Sequence, residues 1–128
     1  MAKNPGQALN AGVITVTLTG DGTASDGDAV AMSAGKVTQA DGTNDPHVIG
    51  VLAQEQGSKT DTEKVSVHIA GPVVANVASG TAAGTQLGSS ATEGQFGSGT
   101  QAISTLTPEG DAGDYGGTMP TGYAAVNL

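Results

Sequence analysis

Val13-Ile14-Thr15-Val16-Thr17-Leu18-Thr19 decides the fold class, and Gly20-Asp21-Gly22 closes it. Apolar and hydroxyl side chains alternate with a period of two. That period puts Ile14, Val16 and Leu18 on one face and three threonines on the other, the pattern of a strand with one buried side. The glycines and aspartate that follow are turn chemistry, as are Ser25-Asp26-Gly27-Asp28. Upstream, residues 1–12 (MAKNPGQALNAG) carry Pro5, Gly6 and Gly12, show no period, and read as an extended arm.

Short apolar runs and turns continue downstream. Asp28–Met32 and Lys36–Gln39 flank Ser33-Ala34-Gly35 as a hairpin. His47–Ala53 (HVIGVLA) reads as a buried strand whose Gly50 allows a bulge or a close backbone approach. Val65, Val67 and Ile69 alternate with Ser66, His68 and Ala70. Gly71-Pro72 ends that strand, and Val73–Val77 starts another. Ser89–Thr100 reads as loop anchored by Phe96, Gln101–Leu106 as a short strand, Pro108–Gly117 as loop, and Tyr123–Leu128 as a closing strand. No stretch holds helical spacing. The sequence therefore predicts an all-β protein, a small β-barrel or sandwich of short antiparallel strands with an extended N-terminal arm. The arm covers 1–12, and one β domain covers 13–128 with Gly-rich loops in 89–122.

Composition narrows the function. The chain has 128 residues, no Trp, one Phe and two Tyr, so the core falls to Val, Ile, Leu and Ala. Small side chains bury little apolar area each. A monomer built this way is expected to be modestly stable, and assembly would supply the missing burial. Twelve acidic residues against four lysines, with no arginine, give a net charge of −8. A basic footprint for nucleic acid is missing, and like charge repels acidic membranes. Neither is expected as a partner. The acidic balance also resembles proteins of salt-loving hosts, which suggests a halophilic protein. The absence of cysteine removes disulfides, thiolate metal sites and cysteine nucleophiles. No run is apolar and long enough for a signal peptide or membrane span, which predicts intracellular synthesis without secretion machinery.

Candidate chemistry is thin. His47 and His68 are the obvious catalytic suspects. His68 lies on the face opposite Val67 and Ile69, which fits an exposed or interfacial strand position better than a general base. His47 follows Pro46 at a strand start. Ser and Asp are too plentiful to single out a triad, and no G-x-S-x-G elbow occurs. Asp21–Asp28 offers oxygen ligands at short spacing but departs from the EF-hand loop at Ser25 and Asp26. Asp111 and Asp114 are a second candidate cation pair. Turn formation accounts for both loops more simply. Residues 94–99 (GQFGSG) lack the lysine and following helix of a phosphate cradle. No catalytic residue, metal or cofactor is expected. The arm is the sharpest positive feature, because an unstructured terminus can add a strand to a partner's sheet edge through main-chain hydrogen bonds.

From Gly27 to Gly84 the order of motifs carries a resemblance. The motifs are Gly27-Asp28-Ala29-Val30, Gly35-Lys36-Val37, Val48-Ile49-Gly50-Val51, Val65-Ser66-Val67, Gly71-Pro72-Val73 and Ala83-Gly84, and a hydrophobic strand ends the chain. This half of the chain resembles the capsid decoration, or cement, proteins of tailed viruses, including viruses of haloarchaea. The opening Met-Ala-Lys-Asn and short arm are similar too. The resemblance implies a virion structural protein with no catalysis, made in the host cytoplasm and bound to the major capsid protein on the outer capsid surface. It implies a homo-oligomer, with a homotrimer favoured and a pentamer possible. Lys3, Asn4, Pro5, Gln7 and Leu9 of the arm are then the expected capsid contacts, and the Val/Ala faces the expected trimer contacts. The segment after residue 88 has no counterpart in the resemblance and is expected to form an outer projection. The alternative is a capsid-surface turret or fibre module that binds the host surface through 89–122, since recognition concentrates on loops.

Overall fold

Runs of Val, Ala and Thr cut by Gly and Asp leave this chain strands to form and little else. The computed structural model describes residues 2–111 and 117–128. They form ten strands and no helix: β1 (Ile14–Thr19), β2 (Ala29–Ser33), β3 (Lys36–Gln39), β4 (Gly50–Leu52), β5 (Lys64–Ala70), β6 (Pro72–Asn76), β7 (Leu87–Ser89), β8 (Phe96–Ser98), β9 (Ser104–Thr105) and β10 (Tyr123–Asn127). The all-β expectation is met. Three antiparallel sheets result, in the orders β1-β5-β4-β2-β3, β6-β10-β9 and β7-β8.

The sheets stack as a small sandwich. Ala29, Ala31 and Val51 of the first sheet meet Val73, Ala75, Ala124 and Val126 of the second, and Leu87, Phe96 and Ile103 complete this central layer. The opposite face of the first sheet closes over Val30, Val37, Leu52, Val65 and Val67. The opposite face of the second sheet closes over Val74, Met119 and Ala125. Both faces of β4, of 29–31 in β2 and of 73–75 in β6 are therefore buried, as short continuous apolar runs require. The first sheet curls until Gly20 bridges Val37 of β3, with the Asp21 N–H donating to the Val37 carbonyl at 3.0 Å. Its edges meet only there, and no closed barrel forms among the described residues.

Three expectations change. β1 is an edge strand with only β5 beside it, so Ile14 is 55% exposed, and Val16 and Leu18 are half-buried. The stretch after residue 88 is not an outer projection. It contributes β8 and β9, and Phe96, Thr105, Thr107 and Met119 are buried. Within the loop that follows, the Glu109 carboxylate accepts the N–H groups of Gly80 at 3.1 Å and Gly122 at 2.8 Å. Asp114 lies outside the described residues. Third, the Val/Ala faces expected at subunit contacts are consumed inside one chain. Among the described residues, the exposed large apolar side chains are Ile14, Met32, Ile69 and Leu106.

Of the two roles open to Gly50, a bulge or a close approach, the structure shows the close approach. A Cβ there would sit 2.0 Å from the His68 carbonyl oxygen on β5. Gly35 is a control of another kind, since its φ of +78° strains a side chain but nothing lies within 4 Å. Gly50→Ala is expected to cost about 3 kcal/mol or more through forced strand separation, and Gly35→Ala about 1 kcal/mol. Urea unfolding midpoints of the two variants check the order. Equal losses would show that β4 and β5 are not in close register.

Candidate functional site

The N-terminal segment is where most of the candidate residues converge, and it is not a free arm. Its Gly6 N–H donates to the Val74 carbonyl at 2.8 Å, the Val74 N–H donates back to Gln7 at 2.9 Å, and the Leu9 N–H donates to Pro72 at 2.9 Å. Ala8 bridges Val73 in antiparallel fashion, and Ala2 bridges Thr118. The segment thus covers the open edge of β6, an edge that would otherwise present unpaired main-chain groups. Residues 2–9 are thus laid along the body rather than free in solution, because β6 satisfies these donors within the same chain.

The five expected contact residues divide. Asn4 is exposed, and its N–H is capped by Gln7 Oε1 at 2.9 Å. Lys3 and Gln7 are half-buried, and the Lys3 N–H donates to the Thr118 carbonyl at 2.8 Å. Pro5 borders an open groove of about 400 Å³ together with Asp26, Glu55, Ser58 and Tyr123. Leu9 packs inward against Val74, Met119 and Ala125. Leu9 is therefore an anchor to the body, and the polar face of the segment belongs to Lys3, Asn4 and Gln7.

His68 fastens the segment from below. It is 7% exposed, which corrects its expected exposed or interfacial position. Its face was legible from the alternation; its cover was not. Nε2 lies 3.0 Å from the Gly6 carbonyl and Nδ1 lies 2.8 Å from Thr15 Oγ1. A carbonyl only accepts, so Nε2 carries the proton and neutral Nδ1 accepts from the Thr15 hydroxyl. Both ring nitrogens are engaged, Nε2 by a carbonyl and Nδ1 by a hydroxyl. Burial pushes the His68 pKa below 6.5, and the hydrogen bond to Gly6 offsets part of this. A register shift between Ile14 and Thr15 leaves Ile69 unpaired and exposed beside it. His47 is exposed, and its N–H turns back to the Asn44 carbonyl.

The side chains of Asp21, Asp26 and Asp41 are engaged in loop hydrogen bonds. Asp21 accepts both the N–H and the hydroxyl of Thr23, and Asp41 does the same with Thr43, so the two Asp-Gly-Thr stretches close equivalent turns. Asp26 accepts the N–H groups of Glu55, Gln56 and Gly57 at 2.8, 3.0 and 2.7 Å. Among the described residues, no three His, Asp or Glu side chains are grouped to hold a metal ion. Sequence reasoning missed Asp28. It is 3% exposed and accepts from the Ser25 N–H at 2.8 Å, Gln39 Nε2 at 2.8 Å and Asn76 Nδ2 at 3.2 Å. Burial raises its pKa, and these three donors oppose the rise. Nothing in Ser-Asp-Gly-Asp separates this residue from the turn-forming Asp26 two positions earlier.

Comparison with protein-family models, with curated proteins and with solved structures finds no match to this chain.

Two outcomes follow from this geometry. Asp28→Asn cannot accept from three donors, because its amide nitrogen accepts none. At least one part-buried donor is left unpaired, so thermal or urea unfolding should show a loss of about 1 kcal/mol; an unchanged midpoint would sink the three-donor account. For His68, a folded pKa below the unfolded value means that the unfolded chain binds more protons as pH falls. Its contribution is complete above about pH 6.5 and declines as pH drops through that value. Stability measured from pH 8 to 5 should fall more steeply for the native chain than for His68→Gln. Parallel curves would remove His68 as the source.

Proposed function

We propose that this chain is a structural virion protein that decorates and stabilises the outer surface of an icosahedral tailed-virus capsid by binding the lattice of the major capsid protein. The observation that carries this reading is the ordered series of glycine and valine motifs between Gly27 and Gly84. The physical properties support it. The body is a β sandwich pinned by the polar bonds of His68, and its net charge of −8 keeps it off nucleic acid. Catalysis has no part in the proposal. A homotrimer is the favoured assembly and a pentamer the second.

In this reading the polar face of Lys3, Asn4 and Gln7 and the open outer edge of β1 meet the capsid. Each contact is modest, and repetition over the lattice supplies avidity. The host-recognition reading relied on 89–122 as free loops. That stretch instead buries Phe96, Ile103 and Met119, which weighs against it.

Co-sedimentation with undecorated capsids of the encoding virus tests the proposal, at high and at low salt. Saturable binding at a fixed ratio to the major capsid protein is expected, and the ratio reports the symmetry axis. Lys3→Ala combined with Asn4→Ala should weaken binding about tenfold, or 1.4 kcal/mol, without altering the β spectrum. Absence of binding at both salt concentrations would overturn the capsid reading.

A further inference from the structure

Among the described residues, every sheet edge but one is covered by the chain itself. Residues 6–9 lie along β6. On β3, the Val37 carbonyl accepts the Asp21 N–H at 3.0 Å and the Gln39 N–H donates to Thr23 Oγ1 at 2.9 Å. Gly84 and Thr85 bond to Thr105 of β9, Leu87 of β7 bonds to Gln101 and Ile103, and Phe96 of β8 bonds to Ala78. β1 is the exception. It has β5 on one side, and among the described residues no main-chain hydrogen bond reaches Ile14–Thr19 on the other.

The devices that keep an open edge from pairing are missing from β1. Ile14-Thr15-Val16-Thr17-Leu18-Thr19 holds no charge and no proline. The extra residue of the β1–β5 bulge is Ile69 on β5, so β1 keeps its own alternation. Ile14 and Ile69, both exposed large apolar residues, flank that bulge. All twelve acidic residues lie in 21–128, so this edge is an acid-free stretch of an acidic molecule.

We propose that β1 pairs antiparallel with β1 of a second copy of this chain, across a two-fold axis at Val16. Val16 then faces Val16, Ile14 faces Leu18 and Thr15 faces Thr17. Apolar side chains meet on one face of the joined sheet and hydroxyls meet on the other. A slip of one residue would set Ile14 against Thr19 and mix the faces. Charge fits the same direction: the antiparallel pair sets Asp21 beside Ala11 of the other copy, whereas a parallel pair would set Asp21 beside Asp21. The occupant is a second copy because β1 meets each of these requirements itself. Since the other edges are taken, the pair leaves none open and assembly stops at two. The inference does not rest on the capsid reading. Where both hold, the second copy and the capsid compete for one edge, and the pair belongs to the chain off the lattice.

Sedimentation equilibrium of the full chain at rising concentration tests this, in high salt to screen the repulsion between two bodies of charge −8. The mass should climb to that of two chains and stop. Thr17 is exposed, and Thr17→Lys brings two ammonium groups to one face beside the axis, so this variant should stay monomeric under the same conditions. The chain has no cysteine of its own. Val16 faces itself across the axis, so Val16→Cys should oxidise to a covalent pair. Thr17 faces Thr15, which leaves the two copies of Thr17 too far apart to bridge, so Thr17→Cys should not. A native chain that stays monomeric, or settles at three copies, overturns the pairing. So does a pair that survives Thr17→Lys, or one in which Val16→Cys crosslinks no better than Thr17→Cys. If Val16→Cys does not fold, the masses of the native chain and of Thr17→Lys decide.

Discussion

Asp28 stands where the parts of this molecule meet. Its carboxylate takes donors from the turn before β2 (Ser25), from β3 in the first sheet (Gln39) and from β6 in the second (Asn76). Its own backbone carbonyl accepts the Leu52 N–H of β4, and the neighbouring Gly27 carbonyl accepts the Asn76 N–H. A buried carboxylate is costly unless its oxygens are satisfied. Here the cost fixes geometry: three donors converge only when the two sheets are stacked in one register. Gly94 passes so close that a Cβ would lie 2.5 Å from the Asp28 carboxyl carbon, so the late part of the chain is held by the same constraint.

Such a constraint matters because the core specifies itself weakly. Val and Ala dominate all three apolar layers, and Phe96 is the only fully buried aromatic among the described residues. Small, similar side chains fill space in more than one arrangement, whereas polar groups that must be paired do not. The same logic governs the second buried polar link, His68. It ties the N-terminal segment to β1 and β5 and closes the lower face of the first sheet.

The strands were legible because their signal is local. Alternation at 13–19 and 65–70, the short apolar run at 48–53 and the turn residues between them depend on neighbours within a few positions. The late region was not legible for the same reason. Leu87-Gly88-Ser89 and Phe96-Gly97-Ser98 carry almost no period, yet they pair as β7 and β8 because Phe96 is drawn into the central layer. In the candidate site, Lys3, Asn4, Pro5, Gln7 and Leu9 were singled out through the resemblance, as members of the N-terminal segment. That Leu9 turns inward, and that the whole segment lies on β6, could not.

The sequence by itself determined the all-β class, the positions of most turns and the face of β5 on which His68 stands. These follow from side-chain period and from the conformations open to glycine and aspartate. Only the tertiary structure decided what covers each face. Gly6 lies 62 residues from the histidine it caps, and Asn76 lies 48 residues from the carboxylate it holds. Contacts at that separation leave no periodic trace in a single chain, because they are set by which sheet edges and faces remain open once the local strands have formed.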